Sequence, residues 1–209
     1  FNSLLLDEIR RRGYRYVIKK DVQRWVIMLS IGVITALIAC CINITIEVVA
    51  DVKYYLLKQW TDHCVMEEYD CLYIPYLLWV ALNVIPVIIG SFLIAYIEPV
   101  AGGSGIPQVK CYLNGVKIPR IVRIKTLICK SVGVTLSVLG GLAVGKEGPM
   151  IHSGAVVAAG ISQGKSTSIN LDSKTLEFFR QDREKRDFVS GGAAAGVATV
   201  MIILTSDEI

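Results

Sequence analysis

Charge is what this chain has little of. Of its 209 residues only 19% are Asp, Glu, Lys or Arg, against about 25% in a typical soluble domain. The shortage is concentrated: no charged residue occurs in the 22 residues from Trp25 to Ile46 or in the 27 from Cys71 to Ile97. Histidine is scarce too, with His63 and His152 standing alone, and no Cys/His spacing resembles a zinc site. No nucleophile–base pair or metal cluster can be read from the residues, so an enzyme is not expected. The long uncharged apolar blocks and a net charge of only +4 exclude nucleic-acid binding and disorder as well. An ordinary soluble core is excluded by the two long uncharged runs, each of the length that spans a membrane. Mean hydropathy is +0.53, in keeping with that reading.

What charge there is alternates. Residues 1–24 hold seven Lys/Arg and three acids. Residues 51–70 hold Lys53 and Lys58 against Asp51, Asp62, Glu67, Glu68 and Asp70. Residues 98–130 hold Lys110, Lys117, Arg120, Arg123, Lys125 and Lys130 against Glu98 alone. Cytosolic flanks carry the excess of Lys/Arg, so the N-terminal segment 1–24 and the 98–130 stretch are expected in the cytosol, and 51–70 as an outward loop. Two buried helices of a soluble protein would leave this alternation to coincidence. Cys64 and Cys71 share the outward loop, where oxidising conditions could bridge them; Cys40, Cys41 and Cys129 read as small packing residues. Asn43-Ile44-Thr45 is a formal glycosylation sequon, but it sits inside the first span, out of reach of the modifying enzyme. The basic stretch at the start is long and the span behind it full length, so no cleavable signal peptide is expected. The chain opens on Phe1, which reads as an excerpt or a processed product.

Three further uncharged blocks, Ser131–Gly145, Gly148–Gly164 and Phe188–Ser206, are short or glycine-rich. The first, at 15 residues, would cover about 22 Å as a helix, less than a hydrocarbon core of about 30 Å. Broken backbone at membrane depth is tolerated only where it is buried in protein or lines a watery cavity. Two breaks look alike: Gly102-Gly103-Ser104-Gly105-Ile106-Pro107 and Gly145-Lys146-Glu147-Gly148-Pro149. In each, glycines admit close approach to the backbone and a proline suits the first turn of the next helix. Each therefore reads as an unwound loop feeding a helix N-terminus, which attracts anions. Ser104 adds a hydroxyl donor. Glu147 is ionisable in apolar surroundings, a functional residue by default. Its carboxylate competes with a permeant anion for the same N–H groups. Desolvation favours its protonated form and the helix end its charged form, so it is expected to act as a gate and proton carrier. Lys130 either anchors the block at the cytosolic surface or adds positive potential to an anion path. Gly140 to Lys146 satisfies the front of a phosphate-binding loop, but Glu147 stands where Ser or Thr should hold Mg²⁺, so nucleotide binding is rejected. Gly192-Ala193-Ala194-Ala195-Gly196 is a G-x-x-x-G pattern that allows close helix packing. Lys165–Asp187 reads as a solvated connector.

These residues resemble the CLC chloride channels and chloride–proton exchangers. Gly103-Ser104-Gly105-Ile106-Pro107 is similar to their first anion-selectivity signature and Gly145-Lys146-Glu147-Gly148-Pro149 to their second. Lys185-Arg186-Asp187-Phe188 with Gly191–Gly196 is similar to the segment that follows. The wording around Pro107–Pro119 and Gly145–Gly164 looks closest to the lysosomal and late-endosomal exchanger branch. The resemblance implies an all-α, polytopic membrane fold of tilted and re-entrant helices, of which 25–206 would be the N-terminal half of an inverted repeat and 207–209 a tail. It implies a homodimer with one anion path per subunit, embedded in lipid, and for the lysosomal branch a single-pass accessory subunit. The substrates would be chloride and protons, with no cofactor, metal or nucleic acid. Gly103, Ser104, Gly105, Ile106, Gly145, Lys146 and Gly148 would line the chloride site; serine at 104 goes with chloride preference over nitrate. Glu147 would be the gating and proton glutamate, and Lys130 matches a buried lysine near the path. The sequence departs from the family after Val197: the helix with the inner proton glutamate, the second inverted half and the cytosolic regulatory domains do not follow. Half a site cannot enclose a dehydrated anion. The readings carried forward are therefore chloride–proton exchange at an endosomal or lysosomal membrane, a voltage-gated chloride channel, and a truncated fragment that does not transport.

Overall fold

Between Tyr14 and Met66 the chain has no proline and a single glycine, Gly32, so nothing in its backbone chemistry stops a helix. The computed structural model describes residues 13–66, 71, 73–116, 118, 120–166, 171–172 and 179–206. In it, helix α1 runs without interruption over Tyr14–Met66, 53 residues, or about 80 Å. This corrects the expectation of a loop at 51–70: charge marks where a helix leaves lipid, not where it ends, and residues 51–66 continue α1. Glu67, Glu68, Asp70, Lys117, residues 1–12 and the 207–209 tail lie outside the described residues. Cys64, on the last turn of α1, is bridged to Cys71, with Cα atoms 5.5 Å apart.

α2, Tyr73–Ile97, carries Pro86 in its interior. Both α1 and α2 are long and apolar enough to cross a membrane, and only 6% of the apolar window of α2 is buried within the protein. A core helix of a soluble protein would be covered on all sides, so the exposed apolar surface of α2 fits lipid. A 3-10 turn at Pro99–Gly102 follows, then the short α3, Ile106–Leu113. α4 spans Ile124–Leu139, α5 Glu147–Gln163 and α6 Asp182–Ser206. Apart from an antiparallel pair of two-residue strands, β1 (Lys165–Ser166) and β2 (Leu171–Asp172), the described elements are helical. That pair falls in the expected 165–187 connector.

α5 is the hub. It packs on α1, α3, α4 and most extensively on α6, and residues 152–159 are buried without a break. A helix surrounded on all sides needs small or apolar residues everywhere, which Ser153, Gly154, Ala155, Val156, Val157, Ala158 and Ala159 provide. Against it α1 lays a stripe of buried residues, Ile27, Ile31, Thr35, Ala39 and Ile42, spaced to fall on one helix face. At one end Ile27, Ile31 and Ala158 pack with Phe179 and Phe188, whose rings meet edge-on at 5.5 Å. At the other, Ala39 and Ile42 meet Met150 and Val200. The α5–α6 seam bears out the G-x-x-x-G reading. A side chain on Gly154 would run into the Gly192 carbonyl, one on Gly192 into Ala158, and one on Gly196 into the Met150 carbonyl at 2.5 Å.

Candidate functional site

Both breaks form where the sequence placed them. In the first, Gly105 has φ +88°, a left-handed conformation suited to glycine, and caps α3 with Pro107 in its first turn. In the second, the chain leaves α4 at Gly140, turns through Gly141 at φ +74°, and enters α5 at Glu147, the first helical residue, with Lys146 as its cap.

The two breaks touch. The missing side chain of Gly148 would lie 3.0 Å from both the Cβ and the carbonyl oxygen of Ser104. They share a cavity of about 560 Å³, to which Gly103, Ser104, Ile106, Lys130, Gly145, Glu147 and Gly148 all contribute. Residues 43 positions apart in sequence are thus brought to one space, lined by glycines of both turns, Ser104 and Glu147. The cavity is open on one side: Ser104 and Glu147 are exposed. Among the described residues nothing hydrogen-bonds or ion-pairs with the Glu147 carboxylate. Glu147 lies in the first turn of α5, where a helix favours negative charge.

Lys130 is not a surface anchor. It is 3% exposed on α4, and its ammonium donates to the Gly103 carbonyl at 2.6 Å, which leaves its charge beside the cavity. Two expected ligands sit differently from their neighbours. Gly105 is buried beneath the turn rather than on the cavity wall. Lys146 turns away: its Nζ donates to Asn43 Oδ1 on α1 at 2.9 Å. There it lines a second, apolar cavity of about 210 Å³ with Ala39, Ile42, Met150 and Val200, which Glu147 also borders. Asn43, discarded as a sequon because it lies inside the span, has this internal partner instead.

Sequence reasoning missed three supports. His152, read as isolated, is 1% exposed and abuts Gly105. Lys53 on α1 donates to Asn83 Oδ1 on α2 at 2.6 Å and to the Leu139 carbonyl at 2.8 Å. It thereby caps the end of α4 from which the second break departs, as a cation suits a helix C-terminus. Arg24 pairs with Glu184, tying α1 to the start of α6. A lone histidine or lysine in an apolar run hints at a buried role, but no local spacing names its partner.

Comparison with known proteins gives the family of the chain. The family model described as voltage gated chloride channel matches residues 86–201. The H(+)/Cl(-) exchange transporter 7 of Bos taurus is 57% identical and that of Homo sapiens 56% identical, each over 94% of this chain and 24% of the relative. Chloride channel protein CLC-d of Arabidopsis thaliana is 41% identical over the same shares. The chain spans about a quarter of the length of these curated relatives. It belongs to the voltage-gated chloride channel family.

Proposed function

We propose that this chain contributes one half of a chloride path that is exchanged against protons. One observation carries the reading: Ser104 and Glu147, from two separate breaks, line a single cavity beside the buried Lys130. In this reading the Ser104 hydroxyl and the free N–H groups around Gly103–Ile106 and Gly145–Gly148 replace the water of a dehydrated chloride. Lys130 adds positive potential through its hold on Gly103. The Glu147 carboxylate, an anion at the same helix terminus, occupies the place of chloride when charged and leaves it when protonated, so each proton taken up opens the path. Lys146 acts through its backbone and its tie to Asn43. The names of the 56–57% identical relatives support exchange. The resemblance to their branch supports a homodimer in a lysosomal or late-endosomal membrane with an accessory single-pass subunit, and the charge alternation supports a cytosolic N-terminus.

The test is a chimera in which this chain replaces the matching segment of the human relative, reconstituted in lipid vesicles with chloride efflux and proton uptake recorded together. Glu147→Gln should keep chloride efflux and lower proton uptake by roughly a hundredfold; proton uptake still coupled to chloride in that variant removes the role. This chain reconstituted alone should carry no flux, because its cavity is open and cannot strip an anion of water. The plant relative's printed name, a chloride channel, favours a second reading, passive conduction. Chloride efflux without proton uptake in the unsubstituted chimera would select it.

A further inference from the structure

His152 takes no part in the reading above, yet it is among the largest fully buried side chains. It sits on the second turn of α5, on the helix that Glu147 begins. Its Nε2 lies 3.2 Å from the Ile121 carbonyl. A carbonyl oxygen only accepts, so Nε2 carries the proton and Nδ1 presents a lone pair. Nδ1 is buried and has no hydrogen-bond partner among the described residues. What it faces is Gly105: a Cβ built there would stand 2.5 Å from His152 Cβ, 2.7 Å from Cγ and 2.8 Å from Nδ1. The ring therefore fills the volume a side chain at 105 would take, under the one residue of the first break with a left-handed φ. Burying an imidazole with a nitrogen unpaired is unfavourable; a leucine would fill the space without that cost. The polar ring supplies in addition a hydrogen bond that fixes its plane, and through it the seat of Gly105. Gly148, four residues earlier on α5, receives Ser104. The first break and α5 interlock through this pair of contacts, each lending a glycine to the other's side chain.

We propose that His152 is a positioning residue for the anion site: hydrogen-bonded to Ile121 and seated against Gly105, it sets where the Ser104 turn stands against the N-terminus of α5. The proposal rests on the chloride path proposed above, and its test separates the two. In the reconstituted chimera the chloride-to-nitrate flux ratio is measured with the thermal midpoint in detergent. His152→Ala should lower the ratio roughly threefold or more, because selectivity is a difference between two fits of the same turn. His152→Gln, which can still donate to Ile121, should stay nearer the parent. A ratio unchanged in His152→Ala overturns the proposal, as does a His152→Gln that shifts it as far as alanine does. Gly105→Ala should lower the midpoint, and Gly105→Ala combined with His152→Ala should recover part of that loss, since the ring that the new Cβ meets is gone. Strict additivity of the two midpoint changes overturns the contact even where a variant, or the chimera itself, carries no flux. An unsubstituted chimera without chloride flux sinks the chloride path and leaves this cycle to decide on His152.

Discussion

The two breaks use the same residue types to opposite ends. The first is pinned: Lys130 holds the Gly103 carbonyl at 2.6 Å, Gln108 Nε2 donates to the Val100 carbonyl at 3.3 Å, and His152 closes the space under Gly105. Every one of those supports comes from a neighbouring element or the following helix, and none uses the Ser104 hydroxyl. The second is held ahead of the glutamate, by Lys53 on the Leu139 carbonyl and by Lys146 on Asn43, while the Glu147 carboxylate itself is unattached among the described residues. A rigid wall and a free charged arm share one cavity. On the chloride path proposed above, a rigid wall suits selectivity, because a pocket that adapts discriminates poorly, and an unattached carboxylate suits a gate that opens on protonation. Placing the two on separate breaks would let one be stiff without stiffening the other.

The contrast can be broken from either side, in the chimera. After the loss of proton coupling in Glu147→Gln, the largest effect should come from Gly148→Ala. Its Cβ would press on Ser104, and because both the Ser104 carbonyl and Cβ are in the way, the wall itself must shift. Chloride efflux should fall about tenfold, the scale of a misplaced ligand; unaltered efflux would mean that the breaks do not meet in the working protein. Lys130→Met should follow. Removing the ammonium takes away the hydrogen bond that pins the Gly103 carbonyl, worth about 1 kcal/mol, read as a thermal midpoint a few degrees lower and a reduced chloride efflux. A stable, fully active methionine variant would make the lysine dispensable to the wall. Smallest is Lys146→Gln. Glutamine keeps a donor for Asn43 and loses the charge, so flux should change less than about twofold if Lys146 acts by anchoring rather than by its field. A larger loss would return Lys146 to the anion's immediate surroundings.

What the sequence made legible were the local signals. Glycine and proline mark a broken backbone wherever they fall together, so both breaks were placed by residue, and a carboxyl in an uncharged stretch points to itself. The G-x-x-x-G seam was readable for the same reason. What stayed hidden depends on partners far along the chain. His152 meets Gly105 across 47 positions, Lys146 reaches Asn43 across 103, and Lys53 reaches Leu139 across 86; polar side chains choose partners by proximity after the helices pack. The extent of α1 was not legible: the charges at 51–70 point to a loop, whereas helix ends are set by breakers and caps, of which Tyr14–Met66 has almost none.

The seam between α5 and α6 has a practical corollary. Backbone lies directly on backbone at Gly154 and Gly196, so no spectroscopic tag can be attached along most of the helix that carries the glutamate. Gly160, on the last turns of that same helix, faces open space with no atom within 4 Å of where a side chain would begin. A fluorophore or spin label placed there would ride on the helix without prying it from its neighbour, and would report whether it tilts as the pH is lowered.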